Sequence, residues 1–272
     1  MIIVTIYGGL GNQMFQYAVA KALSLEKKQD LKLDISGFEH YTLHKYSLHH
    51  FDIKAEFYKK PNRYLRKFQD LLFTKTTYSE IDFGFNTEVS QLKGDYIFLN
   101  GYFQSEKYFL KYKNEILKRF EFKSKLKPKT QETIDYITAV NSVSLHIRRG
   151  DYVNNPKHYI DQEVYYQDAM AIIESKIETP VFFIFSDDIN WVKENMTFKH
   201  KAIFIDFNDS LSNFEDLKLM STCKNNIIAN SSFSWWGAWL NKNEKKIVIA
   251  PKKWFNDDTN SNDIIPDSWI KV

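Results

Sequence analysis

The chain has a single cysteine, Cys223, among 272 residues. A lone thiol excludes an intramolecular disulfide framework and any metal site built from clustered cysteines. Nine glycines and six prolines are too few for a collagen-like or linker-rich chain. No apolar run reaches the roughly 18 residues that a membrane-spanning helix needs. The opening Met1-Ile2-Ile3-Val4-Thr5-Ile6 is too short for a signal-peptide core and has no basic segment before it. Sequons such as Asn195-Met196-Thr197 carry no meaning without secretion, and the sequence reads as cytoplasmic. An excess of charge is lacking too: 37 basic against 34 acidic residues leave a net +3, so no nucleic-acid partner is expected. His40 and His44 stand four apart without a metalloprotease-like carboxylate, and no Asp-x-Asp occurs, so no metal is expected.

What is present is globular: 43% hydrophobic and 26% charged, with a mean hydropathy of -0.45. The length suggests two domains at about 150 residues each. Aromatics are in excess at 16%, which fits a large core, sugar platforms or a membrane interface without choosing among them. One segment, 54–73, interleaves Lys59, Lys60, Arg63, Arg66 and Lys67 with Phe57, Tyr58, Tyr64, Phe68 and Phe73. It reads as a solvated basic helix face or as a peripheral contact with an anionic membrane surface.

Residues 2–6 predict a buried strand, broken by Gly8-Gly9-Leu10-Gly11 and followed by a helix over 13–25 and a strand over 31–34. This is the opening of an α/β sheet. Between 36 and 125 the pattern weakens, with a strand at 96–99 and helices around 62–72 and 105–120. The charged, proline-bearing stretch 123–129 marks the expected boundary between domains 1–125 and 126–272. Beyond it, apolar runs at 143–147, 181–185, 202–205, 226–229 and 247–250 alternate with helical segments near 163–177, 189–195, 212–222 and 233–241. That alternation predicts a parallel sheet with helices on both faces. Ligands bind such sheets at the carboxyl ends of the strands.

Three strand ends carry the chemistry. The first ends in His146-Ile147-Arg148-Arg149-Gly150-Asp151-Tyr152, where two forked guanidinium groups suit a pyrophosphate. Asp151 can orient an arginine or accept a proton; the competing reading is a surface Arg–Asp pair. The second ends in Ser186-Asp187-Asp188, where a carboxylate can hold a ribose hydroxyl or guanine edge, or cap the next helix. The third, Asn230-Ser231-Ser232-Phe233-Ser234, opens into a helix whose free amides and dipole make an anion site. Trp236 and Trp239 in that helix read as core. Together the three ends suit a nucleoside diphosphate, over which the loop containing Gly9, Gly11, Asn12 and Gln13 can close. That loop is not a Walker motif. It is a poor dinucleotide fingerprint, since Met14 stands where the third glycine belongs, yet Asp34 sits at a ribose-binding distance along the chain. A nicotinamide-dependent oxidoreductase therefore stays open at this point, as does a non-catalytic sugar-binding module.

Five stretches then carry a resemblance: Tyr7-Gly8-Gly9-Leu10-Gly11-Asn12-Gln13-Met14-Phe15-Gln16-Tyr17, Gly101-Tyr102-Phe103-Gln104-Ser105-Glu106-Lys107-Tyr108-Phe109, the 146–152 element, Ser231-Ser232-Phe233-Ser234-Trp235-Trp236-Gly237-Ala238-Trp239-Leu240, and Ile265-Pro266-Asp267-Ser268-Trp269. In this order the chain resembles the bacterial α-1,2-fucosyltransferases of glycosyltransferase family eleven, over nearly its whole length. The resemblance implies a GT-B-like α/β fold, two Rossmann-like halves facing a central cleft, with GDP-fucose in the carboxyl half and acceptor in the amino half. It implies inverting, metal-independent transfer from GDP-β-L-fucose to the 2-hydroxyl of a galactose-terminated glycan, without a cofactor. By the same resemblance Arg148 holds the β-phosphate, with Arg149 beside it. His146 and Asp187 meet the guanosine, Ser231, Ser232, Phe233 and Ser234 the phosphates, and Gly9, Gly11, Asn12 and Gln13 line the fucose side. Tyr102, Phe103, Tyr108 and Phe109 are candidates for the acceptor side. The general base stays open among Asp151, Asp95 and Glu106, or a phosphate oxygen. The acceptor stays open among lipid-linked and free glycans.

Overall fold

The computed structural model describes residues 1–40, 43–158, 162–209 and 211–272, apart from the side chains of Asp151, Gln162 and Glu163. The chain divides into two compact units, Met1–Lys123 with Asn262–Ile264, and Ser124–Ser261 with Ile265–Val272.

The first unit begins with β1 (Ile2–Thr5), whose β-branched residues are buried, and α1 (Leu10–Lys27). It continues through β2 (Leu31–Asp34), β3 (Glu56–Phe57), α2 (Arg63–Leu72), β4 (Lys75–Ser79), α3 (Glu88–Gln91), β5 (Tyr96–Asn100) and α4 (Lys113–Arg119). Its five strands are parallel, in the order β3-β2-β1-β5-β4. Helix α1 starts at Leu10 rather than at residue 13, with Gly9 as its N-cap, and ends where Lys28 turns left-handed at φ 54°. Gly11, Asn12 and Gln13 are thus first-turn helix residues and not a loop. The helix expected over 105–120 is also different. Residues 106–108 and 110–112 form single turns before α4 begins. Phe109 between them leaves helical backbone (φ -134°, ψ 2°) and its ring is fully buried near Phe15, 6.2 Å between centroids. Burial of the ring outweighs helical continuity. Residues 262–264 return to this unit through Asp263, which accepts from the Phe85 amide and pairs with Lys107.

The second unit contains α5 (Pro128–Ala139), β6 (Ser142–Ile147), α6 (Gln162–Lys176), β7 (Val181–Ser186), α7 (Ile189–Asn195), β8 (Ala202–Phe204), α8 (Asn213–Thr222), β9 (Asn225–Ile227), α9 (Ser232–Trp239), β10 (Val248–Ala250) and β11 (Ile270–Lys271). All six strands are parallel, ordered β11-β10-β9-β6-β7-β8. Pro128 opens α5 at its first position, where a missing N–H costs nothing. Every residue of β6 is buried, as a central parallel strand covered on both faces requires. One face holds Val143, Leu145 and Ile147 with Tyr165, Tyr166, Ala169 and Ile173 of α6; on the other side of the sheet Phe183, Phe185, Leu219 and Met220 pack with Ile137. The polar Asn226 is tolerated because its amide donates to Ser144 Oγ at 2.7 Å and to the Met220 carbonyl at 2.9 Å. Trp235 and Trp236 are fully buried and Trp239 nearly so; Trp235 packs on Trp239 at 6.1 Å and on Trp269 at 5.5 Å. These rings are core and are not a sugar platform.

Candidate active site

The carboxyl end of β6 feeds straight into Arg148 and Arg149, and β7 beside it ends in Ser186, Asp187 and Asp188. Parallel pairing in register brings these termini together. Asp187 is the organising group. Its Oδ1 accepts from the Arg149 amide at 2.8 Å and its Oδ2 pairs with Arg148 Nη1 at 3.0 Å. The carboxylate reaches that place because residue 150 is glycine: a Cβ there would lie 2.5 Å from Asp187 Oδ2. Arg148 also lies over the Tyr152 ring at 5.4 Å, so a carboxylate and an aromatic face fix its guanidinium. Its side chain is still 29% exposed.

Arg149 has a different position. Its guanidinium stacks on Trp191 at 3.5 Å and its Nε pairs with Asp188 Oδ2 at 3.3 Å. Asp188 meanwhile caps α7, Oδ1 accepting from the Trp191 amide at 3.3 Å. The two arginines are therefore not equivalent. Both oxygens of Asp187 are engaged, one by Arg148 and the other by the Arg149 amide.

His146 is buried, and burial drives its imidazole pKa down from the ordinary 6.5 to about 4, with Asp187 opposing the shift and Arg148 adding to it. The ring is neutral at physiological pH. Its Nδ1 has no hydrogen-bond partner among the described residues, and its ring lies 5.9 Å from that of Phe233. A buried imidazole nitrogen without a partner is costly unless a ligand satisfies it.

Phe233 belongs to the first turn of α9, eight residues long. Within that turn, Ser231 and Ser234 make local hydrogen bonds. Ser231 Oγ caps its own helix by accepting from the Phe233 amide at 3.3 Å, and the buried Ser234 hydroxyl donates to the Ser231 carbonyl at 3.4 Å. Ser232 and Phe233 are half-buried and present the helix end outward. Tyr152 ties the two loops together, donating to the Asn230 carbonyl at 3.3 Å.

Gly9, Gly11, Asn12 and Gln13 form a separate constellation at the carboxyl end of the first sheet. Gly8 needs its left-handed φ of 78° to turn β1 into α1. Gln13 is fully buried; its amide nitrogen donates to the Gly8 and Lys45 carbonyls at 2.8 and 2.9 Å, and its oxygen accepts from the Ser47 amide at 2.9 Å. With its amide donating to two carbonyls and accepting from one backbone amide, Gln13 shapes the turn. Gly11 is buried too, whereas Gly9 packs near His44 and Asn12 Oδ1 accepts from Gln104 at 2.8 Å.

Among the base candidates, the Asp151 side chain lies outside the described residues. Asp95 immediately precedes β5, so it sits at the amino edge of its sheet, where its carboxylate is held by the Thr74 amide and hydroxyl, both at 2.8 Å. That is the wrong edge for ligand binding. Glu106 opens the turn 106–108. Sequence reasoning missed Glu80 and Trp191; it gives Tyr152 no role, and Asp188 takes the helix-capping alternative offered for its strand end. Glu80 follows β4 at the carboxyl edge; its oxygens accept from the Tyr102 amide at 2.6 Å and the Phe103 amide at 3.0 Å, and burial raises its pKa. It holds Phe103 in a left-handed φ of 54°. Phe103 and Phe109 are fully buried, so neither lines an acceptor surface, while Tyr102 keeps partial exposure between Tyr7 at 5.0 Å and Phe83 at 5.7 Å. Among the described residues no three His, Cys, Asp or Glu side chains converge as a metal site.

Two Rossmann-like parallel sheets of this topology are shared with solved structures. The NodZ α-1,6-fucosyltransferase of Bradyrhizobium, soaked with GDP-fucose, superposes with a TM-score of 0.53 at 14% identity, covering 88% of this chain and 92% of that one. Arabidopsis thaliana FUT1 in complex with GDP gives 0.53 at 10% identity, covering 97% and 75%. The fold is thus GT-B-like, the class of two-domain glycosyltransferases. The sequence itself is more specific: the model of glycosyl transferase family 11 matches residues 1–272, and the chain belongs to that family. An Escherichia coli α-1,2-colitosyltransferase is 38% identical over 100% of this chain and 99% of its own length. The Escherichia coli O-antigen biosynthesis glycosyltransferase WbnK is 35% identical over 97% and 98%. Membership removes the oxidoreductase and the non-catalytic binding module as readings of the chain.

Proposed function

We propose that the enzyme transfers L-fucose from GDP-β-L-fucose to the 2-hydroxyl of a terminal β-galactoside, forming an α-1,2 linkage during O-antigen or related glycan synthesis. The observation that carries this is the bracket at the end of β6: Arg148 paired with Asp187, beside a neutral His146 whose Nδ1 has no hydrogen-bond partner among the described residues, and the amino end of α9. Names of the relatives support the linkage and the glycan, and the second unit is the donor side in this reading. Here Arg148 meets the β-phosphate, His146 hydrogen-bonds the nucleoside, and Ser232 and Phe233 offer the helix terminus to the diphosphate. The acceptor oxygen attacks C1 of fucose as the bond from C1 to the phosphate oxygen breaks; GDP leaves with the electron pair and configuration inverts. The hydroxyl proton passes to Asp151 or to a phosphate oxygen. Charge on the leaving group is met by guanidinium and helix dipole, with no metal.

A second reading is favoured by the 38% identity to a colitosyltransferase along the full chain. Colitose is fucose without its 3-hydroxyl, so the same bracket would serve an activated colitose. The test is GDP release and product linkage with GDP-fucose and terminal β-galactosides, set against the colitose donor. The Arg148→Ala variant should lose transfer. Turnover by that variant, or the absence of GDP binding by the native chain, refutes the assignment.

A further inference from the structure

Helix α2 is amphipathic in a way the fold does not use. Asn62 caps it, accepting from the Leu65 amide at 2.9 Å. Tyr64, Leu65, Phe68, Leu71 and Leu72 recur at helical spacing on one side; Arg63, Arg66, Lys67, Gln69 and Asp70 fill the other. A surface helix normally turns such an apolar stripe to the core. Here none of the ten residues is buried, and Tyr64 and Leu71 are 85% and 82% exposed. Phe57 and Phe73, also exposed, extend the apolar surface at either end. Lys59 and Lys60 add to the charge. Residues 59–73 hold five basic side chains and one acid, Asp70, which pairs with Lys75. This stretch alone carries more positive charge than the whole chain's net +3.

We propose that α2 is an interfacial anchor that lies flat on an anionic lipid bilayer. The apolar stripe enters the boundary between headgroups and acyl chains, while the flanking lysines and arginines reach the headgroup phosphates. Charge selects this occupant over a second copy of the chain, since pairing by this face would bring two basic clusters together. No helix among the described residues is long and apolar enough to cross a membrane, so α2 rests on the surface. The inference stands apart from the donor reading, and its test needs no substrate.

The full chain is sedimented with phosphatidylcholine vesicles, with and without phosphatidylglycerol, at low and high salt. Binding is expected only with the anionic lipid and falls as salt rises. Lys60→Gln with Arg63→Gln should weaken partitioning about thirty-fold, at ~1 kcal/mol per basic residue near the surface. Phe68→Ser with Leu71→Ser should weaken it at least about ten-fold while thermal stability changes little, because Phe68 is 58% and Leu71 82% exposed. No binding to anionic vesicles, or binding unaffected by both double variants, overturns the proposal. So does a lipid-free dimer that Phe68→Ser with Leu71→Ser disperses, which would make the face a protein interface.

Discussion

Replacing Gly150 by alanine tests how the arginine bracket is held. The new Cβ would sit 2.5 Å from Asp187 Oδ2, whereas ordinary contact begins at 3.4 Å, so the oxygen must retreat by about 0.9 Å. That oxygen is the one bonded to Arg148 at 3.0 Å, and a retreat of this size takes the pair beyond hydrogen-bond reach. The backbone itself has no objection, because Gly150 is not left-handed. The obstacle is the tip of one partly exposed side chain, so the stability cost should be about 1 kcal/mol or less. The functional cost should be larger. A charge-assisted hydrogen bond is worth ~1.5–3 kcal/mol, and misplacing a charge by about 1 Å in a transfer site costs up to roughly a hundred-fold in rate. We expect Gly150→Ala to fold normally by thermal melt and to lose about ten- to a hundred-fold in kcat/KM for the sugar nucleotide. Asp187→Ala should cost about as much, and the double variant no more than either, since both act through Arg148. Full activity in Gly150→Ala, or losses that add in the double variant, would refute the reasoning.

His146 makes stability depend on pH. Its pKa is about 4 in the fold against 6.5 when free, so its contribution is complete above pH 6.5 and is lost as pH falls through 4. By urea unfolding, the native chain should lose on the order of 3 kcal/mol more than His146→Gln across that window. Gly237 sits in α9 where a Cβ would be 2.8 Å from Met220 Cβ, so Gly237→Ala overpacks α8 against α9. Overpacking at ~1–3 kcal/mol less a helix-propensity gain of ~1 leaves a net loss of about 0–2 kcal/mol, read as a lower midpoint in denaturant. Gln13→Leu should destabilise by about 2 kcal/mol or more by stranding the Ser47 amide and two carbonyls, with GDP affinity by calorimetry unchanged. A variant that keeps stability but loses GDP would return Gln13 to the ligand surface.

Where the chain alternates apolar runs with helical segments, the architecture was legible. The strands at 143–147 and 181–185 lie within one residue of β6 and β7, because buried parallel strands are continuous apolar runs. Between 36 and 125 the code was weaker. Strand β4, Lys-Thr-Thr-Tyr-Ser, is at the sheet edge and largely exposed, so it has no apolar run to betray it. Glu80 directly after it was missed for the same reason. The start of α1 was missed because a helix whose first turn contains Gly11 and Asn12 lacks the usual cap and propensity signals.

The sequence by itself determined the class of chemistry at each strand end, since residue type and the rule for parallel sheets are local properties. It determined the family through motifs that run the length of the chain. What each residue does with its neighbours was decided only in the tertiary structure. Adjacent arginines became two different groups, one bracketed by Asp187 and Tyr152, the other stacked on Trp191 and paired with Asp188. Asp187 bonds Arg148 and the Arg149 amide, Gln13 bonds three backbone groups, and the tryptophans are core. The physical reason is that a hydrogen bond or ion pair is spent by whichever partner folding brings within about 3 Å, and sequence separation carries no record of that distance.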